Sequence, residues 1–317
     1  MPSFLALDIE TIPDLTVWQP PVEETEPEKI RLKDSKAPSK GELEFLAAAL
    51  DRISSPEAKL HSSDAEKAKD IALRSEKTDD ATRFDSYIKV EEKKDVFPPL
   101  MAHQPIVIGC VWLDSNLGTK DVGVVGRGAL HNDEHKLLSG WAEFMAKERP
   151  LIVTWNGRTF DMPVLSLRSL RHGVPLPWYF DDKNYRYRYT EDAHCDLMDA
   201  ITDYGAAGRG GFKLDDIAKL IGLPGKHDDV DGSQVKAMYE AGKIADIERY
   251  CLTDCIQTAL VFMRWRYLKG KMNLEMYRGS VVTMLDHLEN HKINFNSFLS
   301  KIDRKQLLLG NMSGKES

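Results

Sequence analysis

The chain has 317 residues, 42% of them hydrophobic, with a formal net charge of −7. That length suits one large domain or two small ones, and the composition is that of an ordinary globular protein. No apolar run approaches the roughly 18 residues a membrane span needs, no basic stretch precedes an apolar signal core, and a net acidic chain is not a general nucleic-acid coat; a cytoplasmic location is the expectation. Four scattered cysteines, Cys110, Cys195, Cys251 and Cys255, read as free thiols, because the spacing supplies no further ligands for a zinc site.

In chain order, FLALDI over 4–9 is an apolar run that reads as a buried strand, ended soon after by Pro13. Asp8 and Glu10 stand near its end. Residues i and i+2 of a strand share a face, so the pair requires something positive between them: a basic side chain or a metal ion. From about 20 to 95 the composition turns charged and poor in apolar residues, with one clear amphipathic helix where Leu43, Leu46, Leu50 and Ile53 recur at helical spacing. A second helix follows in SSDAEKAKDIALRSE. This stretch is expected to be a helical insertion after the first strand.

Alternation of strands and helices resumes beyond it. Strands are expected at 105–114, 121–126 and 151–156, and a strand or strand-to-helix join at 194–201. Helices are expected at 132–148, from Asp161 to near Gly173, in KLDDIAKLIGL, and over 245–268. The expected fold class is α/β, a mixed central sheet flanked by helices, with a helical tail over 271–317.

Two more short motifs carry chemistry. In Asn156-Gly-Arg-Thr-Phe160-Asp161, Asn156-Gly157 breaks the strand and Asp161 opens the next helix, where a carboxylate either caps the helix or serves a site. In Tyr250-x-x-x-Asp254, both residues project from one helical face. KNYRYRY (183–189) interleaves Arg186 and Arg188 with tyrosines. As a strand it would place Arg and Tyr on opposite faces, one for nucleic acid and one for protein, or form a plain two-sided edge. Lys226, in the Gly-rich GLPGKHDDVDGSQV, could meet phosphate or close a turn.

Taken together, DIET, NGRTFD and YCLTD resemble the three motifs of the DEDD superfamily of 3′–5′ exonucleases, in the subgroup with Tyr in the third motif. Further segments (FPPLMAHQPIVIGCVWL, HCDLMDAI, GLPGKHDDVDGSQV) are similar to a stand-alone bacterial family related to the exonuclease domain of family B DNA polymerases. The resemblance spans residues 1–18 and about 96–267. It implies a ribonuclease H-like domain over 1–270 and four acidic metal ligands, Asp8, Glu10, Asp161 and Asp254, around two Mg²⁺ or Mn²⁺ ions. Such ions prefer oxygen ligands and would make the crowded carboxylates tolerable. Tyr250 would orient the attacking water, being neutral near pH 7. By the same resemblance Thr11 would approach the terminal nucleotide and Phe160 would wedge the last bases, although Phe160 also suits a core; the Asn156 amide can hydrogen-bond phosphate or sugar of the substrate, or serve the strand-end turn before Gly157. The implied partner is a nucleic-acid 3′ end, with single-stranded DNA favoured. An exoribonuclease of the ribonuclease D type and a catalytically silent binding subunit are the alternatives.

Overall fold

The computed structural model describes residues 2–19, 37–54, 62–75, 77, 79–84, 97–128, 130–207, 212–225 and 234–310. The chain divides into two compact units, Gln19–Phe97 and the remainder. Lys226 lies outside the described residues.

The described residues of the smaller unit are mainly helical. α1 (Lys40–Ile53) starts at a capping box in which Ser39 and Glu42 exchange hydrogen bonds. It packs against α2 (Ser62–Arg74) through Leu46 and Ala49 on one side and Ala65, Ala68 and Ile71 on the other, with Phe84 sealing the small core. Leu43 remains largely exposed, so the apolar stripe of α1 is narrower than its leucine spacing indicates.

The larger unit is a five-stranded mixed sheet in the order β3-β2-β1-β4-β5. Its strands are β1 (Phe4–Pro13), β2 (His103–Leu113), β3 (Thr119–Val124), β4 (Leu151–Thr154) and β5 (His194–Asp196). β1 pairs antiparallel with β2 and parallel with β4, which places it at the centre. It runs to Pro13, longer than its apolar run, so Thr11 lies on the strand just past a register shift at Glu10.

Alternation along β1 sorts its side chains between two cores. Leu5, Leu7 and Ile9 pack against α3 (Glu134–Glu148) and α4 (Asp161–His172), through Leu137, Leu138, Trp141, Val164 and Leu165. Phe4 and Ala6 share the opposite core with Leu252, Ile256 and Leu260 of α5 (Ile244–Leu268). Each large buried aliphatic side chain contributes roughly 1.5–3 kcal/mol. Asp8 and Glu10 continue the α5-facing row. α6 (Leu274–Glu289) and the segments after it join the same core through Tyr277, Val281, Met284, Phe298 and Leu307. Among the described residues no helix is long and apolar enough to cross a membrane.

The stretch 183–189 departs from the expected strand. Lys183–Tyr185 is a single 3₁₀ turn, because the Asp182 carboxylate accepts from the Asn184 amide and Tyr185 is buried against Trp178, its hydroxyl donating to the Pro150 carbonyl. A local cap and one buried aromatic outweigh the β-propensity of the tyrosines.

Candidate active site

α5 comes close to the sheet because β2 has a glycine where it passes. Gly109 is the register partner of Asp8, and a Cβ there would stand 2.7 Å from Cys251 Sγ and 3.0 Å from Cys255 Sγ. The approach brings Tyr250, Cys251 and Asp254, all on α5, to the strand that carries Asp8 and Glu10. Cys251 Sγ lies 3.4 Å from the Asp8 carbonyl oxygen and 3.5 Å from Asp8 Oδ2. Asp8, Glu10 and Cys251 offer ligand atoms all within 4.8 Å of one another. Glu10 and Cys251 are buried; Asp8 is partly accessible.

Asp161 arrives from the opposite direction. Asn156 turns the chain after β4 with a left-handed φ of 64°, and Gly157 follows where a Cβ would sit 2.5 Å from the Thr154 side chain. Asp196 secures this turn by accepting from the amides of Asn156 and Arg158, both at 2.9 Å. The Arg158 side chain donates to the carbonyls of Thr190 and His194. α4 then opens with Asp161 buried in its first turn.

The electrostatics show which groups meet. Burial, and then the charges of Asp161, Glu10 and Asp254 among others, hold the Asp8 carboxyl well above the usual carboxylate range. Burial pushes Asp161 up to about 7, against the pull of backbone hydrogen bonds from Asp161 itself and Ile9. The Tyr250 phenol is raised by burial and then by Asp254, Glu10 and Asp8. The charges of Asp161, Glu10 and Asp254 thus reach Asp8, and those of Asp254, Glu10 and Asp8 reach Tyr250. Asp161 and Asp254 flank the tight trio of Asp8, Glu10 and Cys251 rather than joining it.

The remaining expected contacts divide. Thr11 Oγ1 lies 2.9 Å from His103 Nδ1, and His103 Nε2 lies 2.9 Å from the Pro98 carbonyl. A carbonyl only accepts, so Nε2 carries the proton and the Thr11 hydroxyl donates to Nδ1. Burial holds His103 below its ordinary value, consistent with a neutral ring. Phe160 meets the same imidazole edge-on at 4.9 Å, which links Thr11, His103 and Phe160 in one row. The Asn156 side chain accepts from the Thr159 hydroxyl. Arg186 is exposed over the Phe180 ring, and Arg188 is held by both oxygens of Asp199.

Sequence reasoning missed Cys251, His103 and Asp196. Cys251 stands three residues before Asp254, a spacing that puts both on neighbouring parts of one helix surface. His103 and Asp196 are met only through tertiary contacts. A larger cavity, about 1070 Å³, lies elsewhere, lined by Trp112, Phe144 and His287, and contains none of the three motifs.

The family described as "predicted 3′–5′ exonuclease related to the exonuclease domain of PolB" matches residues 95–302. The chain belongs to this family. The match includes Asp161, Tyr250 and Asp254, whereas Asp8 and Glu10 precede it, on the strand that supplies the centre of the sheet. Similar curated proteins include a DNA polymerase of Archaeoglobus fulgidus, 26% identical over 141 residues, and the catalytic subunit of DNA polymerase epsilon of Schizosaccharomyces pombe, 27% identical over 142 residues. Each alignment covers 42% of this chain, but only 17% and 6% of those relatives.

Proposed function

We propose that the chain is a metal-dependent 3′–5′ exonuclease that releases nucleoside monophosphates from the 3′ end of single-stranded DNA. Its body is a ribonuclease H-like domain over 1–270, interrupted by the insertion at about 20–95 and extended by the segment 271–317. The observation that carries this reading is the convergence of three separate motifs, on β1, at the start of α4 and on α5, around one crowded set of carboxylates. The similarity to DNA polymerases favours DNA over RNA.

The donor set fits hard divalent cations: four carboxylates, and the largest charges acting on Asp8 are all acidic. Asp8, Glu10, Asp161 and Asp254 would hold two Mg²⁺ or Mn²⁺ ions, which when bound supply water activation and charge relief on the phosphoryl oxygens. Tyr250 stays protonated at neutral pH, because burial and neighbouring carboxylates disfavour phenolate. It therefore orients the attacking water by hydrogen bonding and does not take its proton. In this reading Thr11, Asn156 and Phe160 position the terminal nucleotide, with His103 fixing the Thr11 hydroxyl. Arg186 and Lys226 meet phosphates. Arg188 acts through the loop that its pairing with Asp199 ties down.

The test is a time course on 5′-labelled single-stranded DNA, with matched RNA alongside, in Mn²⁺. A ladder shortening from the 3′ end, absent with Asp8→Ala, is expected. Failure of the unsubstituted chain to shorten either substrate would remove the exonuclease reading. Faster shortening of RNA would reverse the substrate preference.

A further inference from the structure

The segment after α6 returns to the candidate site. A cavity of about 530 Å³ lies against Tyr250 and Asp254. Its floor is one face of α5, where Asp246, Arg249, Tyr250, Thr253 and Asp254 recur at helical spacing. One wall is Gln234 and Met238; the other is Asn294–Phe298. In that second wall Phe295 and Phe298 are buried, while Asn294 and Asn296 are exposed. The wall is thus apolar behind and amide-bearing in front. The volume falls in the range, about 300–1,000 Å³, of pockets that enclose small organic ligands.

The charges of the lining simplify. Asp246 and Arg249 pair at 2.7 Å and offset each other. Asp254 belongs to the carboxylate cluster. Lys243 remains, exposed, with no ion-pair partner among the described residues. One available ammonium, two side-chain amides and an apolar backing complement a nucleotide: a phosphate for the cation, a base edge for the Asn296 amide and the Asn294 NH2 (the Asn294 oxygen accepts from the Asn296 backbone N–H at 2.8 Å), and the faces of sugar and base for the apolar wall.

We infer that this cavity holds one nucleotide of the substrate strand beside the bond to be cut, with Lys243 on its phosphate and Asn294 and Asn296 on its base edge. This rests on the exonuclease reading and adds to it a wall that none of the three motifs supplies. The terminal nucleotide and its neighbour offer the same chemistry, and the experiment separates them.

The experiment is an anisotropy titration of a short labelled single-stranded DNA, on an Asp8→Ala background so that no cleavage intervenes. Deoxythymidine monophosphate serves as competitor. Lys243→Ala is expected to weaken binding about ten-fold at low salt and to reduce the slope of log K against log salt by about 0.7, the value of one lost phosphate contact on a single strand. The double change Asn294→Ala and Asn296→Ala is expected to weaken binding about five-fold with the slope unchanged. In the active chain both changes should raise KM by more than they lower kcat. Lys292→Ala, a neighbouring exposed charge outside this cavity, should bind DNA normally. Competition by the monophosphate that weakens in the cavity variants places the terminal nucleotide there; weakened DNA binding without such competition places its neighbour. The inference is overturned if the chain digests DNA while the Lys243 and Asn294/Asn296 variants bind and turn over as the parent does. If the unsubstituted chain neither binds nor digests nucleic acid with any divalent ion, the exonuclease reading itself fails, and this one with it.

Discussion

Asp8 and Asp14 are six residues apart, on β1 and just beyond it, and each is the centre of a cluster of acids. Around Asp14 the charges are matched: Arg168, fully buried, donates to Asp14 at 2.8 Å and to both oxygens of Glu134 at 2.6 Å, and its third arm reaches the Met101 carbonyl. Burial alone would raise the Asp14 carboxyl, but Thr16 and Arg168 together bring it down to about 2. Around Asp8 burial raises the carboxyl first, and Asp161, Glu10, Cys255 and Asp254 raise it further. One cluster is matched by a buried base of the fold; in the other, the largest charges acting on Asp8 are of like sign, which is what the proposed metal ions would answer. The contrast predicts opposite responses to the loss of a charged residue.

At the site, Asp8→Asn should lower exonuclease activity more than about 1000-fold, equivalent to ~4 kcal/mol of transition-state stabilisation. In metal-free buffer the same change should leave the melting temperature unchanged or higher, because it relieves like-charge crowding. A clearly lower melting temperature would mean that Asp8 belongs with the structural acids, and would dissolve the contrast. In the other cluster, Arg168→Met should destabilise the chain by about 3–5 kcal/mol in denaturant titration, because Asp14 and Glu134 lose the base that matches them. Activity per folded molecule should hold within a few-fold.

A third change acts on the spacing between α5 and the sheet. Gly109→Ala introduces a methyl 2.7 Å from Cys251 Sγ, so α5 must yield. The expected cost is about 1–3 kcal/mol of stability, with a further fall in activity as Tyr250 and Asp254 move away from Asp8. Adding Cys251→Ala should restore part of both. Recovery of stability without recovery of activity would show that the sulfur itself matters at the site.

The same contrast explains what could be read ahead of the structure. Asp8 and Glu10 were legible as a pair because a strand has period two, and Tyr250 and Asp254 because a helix aligns i and i+4. The mixed sheet with flanking helices followed from the order of apolar runs. Arg168 gave no such signal: its partners come from positions 14 and 134, joined only by tertiary packing. His103 and Asp196 escaped for the same reason, each working on a residue dozens of positions away. In 183–189 the alternation misled, because the Asp182 cap and the buried Tyr185 ring act locally and carry no periodicity.

The smallest expected effect tests the matched cluster by pH. Asp14 titrates near 2 in the folded chain and near its ordinary value of 3.8 once unfolded. Between those values the unfolded state binds more protons, so stability falls as pH falls. The contribution is fully present above about pH 4 and is lost as the pH drops through 2; for a group this buried the displacement corresponds to about 2 kcal/mol. Asp14→Asn should therefore lower stability at neutral pH and narrow its gap to the parent chain between pH 4 and 2, measured by urea denaturation across that range. A constant gap would mean that Arg168 is matched by Glu134 alone, with Asp14 contributing shape rather than charge. That outcome would shrink the satisfied cluster to a single ion pair, while leaving the crowded carboxylates around Asp8 as they are.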